Sequence, residues 1–169
     1  MKTALAVTLL MFACSKPAPV AESSTTVPAN TATEAPVNLT SGPRITMPDG
    51  AVYAVEVVAD PEERSQGLMY RDHLRPNAGM LFAFPDDDVY AFWMKNTLIP
   101  LDMLWIDVNK NVVHVKHDVP PCKIDDCPSY SPGVSARYVL ELAAGEAKKH
   151  NLKAGDKLTF IETDTVTPR

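Results

Sequence analysis

The sequence has no apolar run long enough to cross a bilayer as a helix. Its longest, Ala4 through Ala13, falls well short of the ~20 residues such a span needs. Positive charge is in deficit as well: 16 Lys and Arg face 21 Asp and Glu, for a net charge of −5. A basic patch is therefore not implied, and no nucleic-acid partner is expected. Charge alone also gives no long-range attraction to anionic lipid. The signatures of common catalytic sites are missing. Gly-x-Ser-x-Gly, His-Glu-x-x-His and a phosphate-cradling glycine loop are all absent. Ser129, Ser131 and Ser135 lie in a Pro-rich stretch, where serine is ordinary turn material. No catalytic residue and no cofactor are expected. Internal repeats are missing too, and so are long helical patterns recurring between strands, which disfavours a parallel βαβ architecture.

What the chain does contain is enough for one folded unit. It has 169 residues, near the ~150 typical of a single domain. Apolar residues make up 46% and charged residues 22%. A domain of this kind is expected to be a monomer.

The N-terminus reads as an export signal. Met1 and Lys2 give a positive start, followed by the short apolar run. Leu10-Met11-Phe12-Ala13-Cys14 resembles a bacterial lipobox, with cleavage before Cys14 and lipid on its thiol. Residues 1–13 are thus expected to be a lipoprotein-type signal peptide, and Cys14 a membrane anchor. Ser15 follows the cysteine, which favours the outer membrane by the usual sorting rule, with the domain at the periplasmic face. Residues 15–43 are Pro-, Ala-, Thr- and Ser-rich and nearly devoid of bulky apolar side chains. Such a stretch cannot offset the entropy of ordering. With Cys14 it is read as a lipidated, disordered tether over 14–43.

From Arg44 the pattern changes, and a domain is expected over 44–163. Residues 44–47 and 51–58 read as strands around Asp49-Gly50, a strong hairpin turn. Asp60 and Pro61 open a short helix, with Asp60 as cap and Glu63 three residues on, ended by Gly67. Residues 79–84, closed by Pro85 and three aspartates, then 90–94, 101–108, 112–116, 137–142 and 157–162 read as strands. Residues 118–136 read as a long loop, and 145–150 as a second short helix. The expected fold is mainly β: a small compact β-barrel or β-sandwich with one or two short helices.

Four windows stand out. Arg64-Ser65-Gln66-Gly67-Leu68-Met69-Tyr70-Arg71 precedes Gly79-Met80-Leu81-Phe82. Phe92-Trp93-Met94-Lys95-Asn96-Thr97-Leu98-Ile99-Pro100-Leu101-Asp102 follows. Tyr138-Val139-Leu140-Glu141-Leu142-Ala143-Ala144-Gly145 closes the set. Together they closely resemble the DUF192 family, over roughly residues 44–162. The resemblance implies one compact β-rich domain, often exported, and implies no activity.

The motif residues admit two physical readings. Lys95, Asn96, Thr97 and Asp102 sit among Trp93, Met94, Leu98, Ile99, Leu101 and Leu104, so some must be buried and hydrogen-bonded. They can form an internal polar network, with Arg64 or Arg71 paired to Asp102 or Glu141. Alternatively they line a pocket. There Arg64, Lys95 and Asn96 hold an anionic or polar ligand against a wall of Trp93, Met69 and Met80. The ligand-binding candidates are Arg64, Met69, Arg71, Met80, Trp93, Lys95, Asn96, Thr97, Asp102 and Glu141. A carboxylate pair, Asp102 with Glu141, is the one acid–base arrangement to weigh.

Cys122 and Cys127 are five apart in a loop, and outside the cytoplasm such a pair oxidises to a disulfide. A zinc site with His114 and His117 would need the thiols reduced. Methionines such as Met69, Met80, Met94 and Met103 bind soft ions in some proteins but far more often fill cores. No metal is expected. His73 and His150 read as surface residues. The leading functional reading is a non-catalytic, membrane-tethered envelope domain that binds a small polar ligand, an envelope polymer or a protein partner. The alternatives are a structural or assembly protein with a buried polar motif, and a hydrolase acting on an envelope saccharide.

Overall fold

The computed structural model describes residues 37–164. The expected signal, Cys14 and nearly all of the tether lie outside the described residues. The domain is mainly β, with 42% strand, 8% helix and one curled seven-stranded sheet that forms a half-barrel.

The elements run β1 (Arg44–Thr46), β2 (Val52–Val58), α1 (Pro61–Gln66), β3 (Ala78–Asp88), β4 (Phe92–Trp93) and β5 (Leu101–Ile106). There follow β6 (Val112–Val119), β7 (Ser129–Tyr130), β8 (Ala136–Ala143), α2 (Glu146–Lys149) and β9 (Thr159–Ile161). The large sheet has the order β6-β5-β8-β3-β2-β1-β9, and β4 pairs with β7 in a small ribbon. An isolated parallel bridge joins Lys95 to Cys122, and every pairing between the strands themselves is antiparallel except β2 with β3. That parallel pair is joined through α1, so one βαβ-type crossover exists where the sequence argued against parallel pairing. Its helix is only 6 residues long, too short to leave a periodic signal. The sheet curls until its outer edges approach at one end. There Gly155 N–H donates to Val112 O at 2.8 Å and Leu158 N–H to Lys110 O at 2.9 Å.

Both faces of the sheet are buried in its middle. All six residues of β5 are buried, which explains its weak alternation in sequence. One face carries Tyr53, Leu81, Leu104, Ile106, Leu140 and Leu142. The other carries Met80, Phe82, Leu101, Met103, Trp105 and Val139, covered by Leu68, Met94 and the Cys122 region.

The Asp49-Gly50 turn forms as expected, with Gly50 at φ 89° and its N–H on Met47 O at 3.0 Å. Asp60 stands at the N-cap of α1 in extended geometry, but its side chain makes no capping bond. Strand β3 runs on through Pro85 and the aspartates to Asp88, past the stop inferred from Pro85. The register shifts between Ala83 and Asp88, and an irregular edge tolerates proline. The 118–136 segment is not wholly loop: β6 extends to Val119 and β7 lies inside it. Among the described residues no helix is long and apolar enough to cross a membrane.

Candidate functional site

The motif segment after β4 turns sharply over the second face. Asn96 takes φ 57° and Tyr70 φ 64°, left-handed geometry that is uncommon for residues other than glycine and rare for a bulky aromatic. The two hold one another: Tyr70 N–H donates to Asn96 O at 2.8 Å, and Asn96 Nδ2 donates to the Tyr70 hydroxyl at 2.9 Å. Tyr70 remains 69% exposed, so burial does not compensate the strained backbone. The disulfide Cys122–Cys127 forms, and its first cysteine braces the same segment. Cys122 N–H donates to Met94 O at 3.3 Å, and Asn96 N–H to Cys122 O at 3.1 Å.

Beneath this segment lies Glu141 on β8. Cross-strand it faces Met80 of β3 and Met103 of β5. The residue is 4% exposed. Among the described residues no hydrogen bond or ion pair reaches its carboxyl, and burial pushes its pKa from 4.5 up to about 8. Neither of its oxygens is a fully enclosed atom without a partner; among the described residues only His117 Nδ1 is, so the carboxyl reaches solvent in the space above it.

Glu141 forms the floor of a cleft whose other lining residues include Arg64, Met69, Trp93, Lys95 and Thr97. Residues that lay within the motif windows but were not among the ligand-binding candidates complete it: Ser65 and Gln66 from α1, Gly67 and Leu68 after it, and Phe82 and Phe92. Their helix was legible, but no period in so short an element indicates which side meets the cleft. Gly67, at φ 48°, lets the chain pass the Phe82 ring; a Cβ there would lie 3.1 Å from it. The inner space is small, about 30 Å³. Beside it, sharing Arg64, Ser65, Phe82, Phe92 and Trp93, is a roomier depression of about 260 Å³ walled by Pro61, Phe84 and Ala91. Trp93 is half exposed at the boundary between the two.

The charged groups divide into structural and cleft-facing. The Arg64 guanidinium holds the carbonyls of Ala59 and, at 3.1 Å, Ala83, and lies 5.0 Å from the centre of the Phe84 ring. Lys95 Nζ meets Asp125 at 3.4 Å. Arg71 pairs neither with Asp102 nor with Glu141: its Nη2 donates to Glu56 at 2.6 Å, outside the cleft. Met80 lies beside Glu141 on the neighbouring strand, and Asn96 serves the turn.

Asp102 is fully buried on the opposite face of the sheet. It pairs in register with Leu142, one position from Glu141, and neighbouring residues on a strand point to opposite faces. The Asp102–Glu141 acid–base pair therefore does not assemble. Asp102 instead accepts the backbone N–H of Asp118 and of Ala147, both at 2.8 Å, and so supplies the cap that α2 lacks from its own N-cap, Gly145.

A second polar cluster sits beyond α2. The Tyr53 hydroxyl donates to Glu146 and lies 2.8 Å from His150 Nε2, while His150 Nδ1 lies 2.6 Å from Asp49. His150 is thus not a surface residue; its side chain is 9% exposed. The chain of acid, imidazole and hydroxyl resembles a relay, but Tyr53 is 0% exposed, so no substrate reaches its hydroxyl. It ties the β1–β2 turn to α2.

Comparison with known proteins gives a family and a fold. The profile of the DUF192 family, described as "Uncharacterized ACR", matches residues 44–160. No curated protein matches the chain. A solved structure from Sinorhizobium meliloti 1021, described as a "putative transcription regulator", is 35% identical, with TM-score 0.61 over 70% of this chain and 91% of that one. A protein of unknown function from Novosphingobium aromaticivorans DSM 12444 is 28% identical, with TM-score 0.62 over 74% of this chain and 91% of that one.

Proposed function

The chain belongs to the DUF192 family, whose description names no activity, and from its site we propose that it is a membrane-tethered envelope domain binding a small polar ligand in the Trp93–Lys95–Glu141 cleft. The observation that carries this reading is Glu141. At 4% exposure its carboxyl opens only onto the cleft and burial raises its pKa; titratable groups perturbed in this way concentrate at functional sites. The strained, exposed Tyr70 beside the cleft points the same way.

Hydrolysis of a saccharide is the weaker reading. It ordinarily needs two carboxyl groups about the scissile bond, and among the described residues Glu141 is the only carboxyl lining the cleft. A role on nucleic acid, suggested by the description of the S. meliloti protein, is opposed by the net charge of −5.

The test is a crystal structure of the full chain purified from an envelope extract with mild detergent and without stringent washing. Residual density over Glu141 between Trp93 and Lys95 supports the proposal. A cleft holding only water, in protein that also gives no chemical-shift response at the Trp93 indole to envelope extract, refutes it.

A further inference from the structure

Resting on that binding reading, we infer that the ligand carries a carboxylate head on an apolar or aromatic body, with the head over Glu141 and the body against Trp93. Size, wall chemistry and charge each contribute. The inner space of about 30 Å³ is roughly two to three times the ~10–15 Å³ that admits one water, enough for a two-oxygen head and too small for a sugar ring. The adjoining depression of about 260 Å³ is walled by Pro61, Phe84, Phe92 and Trp93, surfaces suited to an apolar body. A ligand spanning both is amphipathic, with a small polar end.

Charge selects the sign of that end. The groups facing Glu141 come from several elements. β3 and β5 present Met80 and Met103, which do not titrate. The segment after β4 brings Lys95 and Thr97, and α1 brings Arg64, Ser65 and Gln66. The ionic side chains of the wall are therefore cationic. Lys95 has Asp125 as partner at 3.4 Å, but that aspartate is fully solvent-exposed, and such a pair is weak and readily exchanged. Glu141, neutral at pH 7 because burial disfavours its charge, is a hydrogen-bond donor as well as an acceptor. A carboxylate entering here accepts the Glu141 proton in a hydrogen bond and meets the Lys95 ammonium. An ammonium head would meet Lys95 and gain no anion until Glu141 ionised.

Two carboxyl groups in one small site cannot both ionise cheaply, so the bound pair retains one proton. Affinity must then fall as Glu141 deprotonates in the free protein. With its pKa at about 8, nearly all of it is protonated at pH 6 and about one part in ten at pH 9, which sets a roughly tenfold weakening.

The experiment titrates full-length protein in detergent with 3-phenylpropionate, 3-phenylpropionamide, 3-phenylpropylamine and methyl β-glucoside, following the Trp93 indole N–H by NMR. The acid is expected to shift that signal at concentrations where the other three do not. Its affinity should be about tenfold higher at pH 6 than at pH 9, with that ratio falling to within about twofold in Glu141→Gln. Lys95→Gln should weaken acid binding about tenfold at pH 6, with a dispersed spectrum showing that the variant is folded. A peptide ending in phenylalanine, compared with its C-terminal amide, then separates a peptide terminus from a small-molecule acid as the source of the head. Preference for the amine or the glucoside, or acid binding that strengthens with pH, overturns the carboxylate assignment and leaves the binding cleft standing. Silence of the Trp93 signal to all four probes overturns both.

Discussion

Two buried carboxyl groups on neighbouring strands have opposite fates. Asp102 accepts two backbone N–H groups, and its removal leaves both donors unsatisfied. Asp102→Ala is expected to lower stability by about 2–4 kcal/mol in urea denaturation. Asp102→Asn should also lose stability, because its amide replaces only one acceptor. Unchanged denaturation midpoints would remove Asp102 from the structural role. Glu141 predicts the reverse. Its folded pKa, about 8, is above the ordinary glutamate value of 4.5, so between these values the folded state binds more protons than the unfolded one. Stability therefore falls as pH rises from about 4.5 to 8 and levels off above that. Glu141→Met, flanked by Met80 and Met103, is expected to be more stable than the natural protein by on the order of 3 kcal/mol at pH 7. The advantage should shrink toward pH 4.5. Thermal denaturation across that pH range checks both sign and window; a variant destabilised at pH 7 would mean that the carboxyl has a stabilising partner.

At the scale of elements, the cleft wall is braced from outside. The Cys122–Cys127 disulfide closes a short loop, with a separation of 5, and stabilises the chain by about 2 kcal/mol in the loop-entropy description. Its first cysteine also exchanges backbone hydrogen bonds with Met94 and Asn96. Replacing both cysteines by serine is expected to cost about that amount and to speed amide hydrogen exchange at Asn96 more than at Leu140 in the sheet centre. Equal acceleration at the two would mean that the loop does not locally brace the motif. The elements themselves were largely legible. Alternating residues and the Asp49-Gly50 turn announced β1 and β2, and Pro61 with Gly67 bounded α1. The missed pieces had no local signal. β7 is 2 residues long and exists through pairing with β4. β3 continues past Pro85 because tertiary pairing holds its irregular end. For the site, the composition of the windows named Trp93, Lys95 and Glu141, but sequence spacing could not assign them to a face. That assignment follows from the register of β5 against β8, which separates Glu141 from Asp102, and register between strands some 40 residues apart is a tertiary property.

For the whole molecule, the proposed tether carries its own test. Cys14→Ser is expected to move the protein from the detergent-rich phase to the aqueous phase on Triton X-114 partition, and to abolish incorporation of labelled palmitate. Retention of both properties would locate the anchor elsewhere. The domain should keep its fold in that variant, since the described core draws only on residues beyond the tether.

The strand order bears on how the molecule comes into being. β1 is hydrogen-bonded on one side to β2 and on the other to β9, so Arg44 stands opposite Ile161. The central strand β3 likewise waits for β8. Hairpins join β1 to β2 and β5 to β6, but the pairings of β3 with β8 and of β1 with β9 close long stretches of polypeptide, a topology that assembles slowly. On the proposed export route the chain passes as an unassembled thread until its last strand arrives. A product truncated before β9 leaves the outer edge of β1 unpaired, an open edge of the kind that invites aggregation and proteolysis.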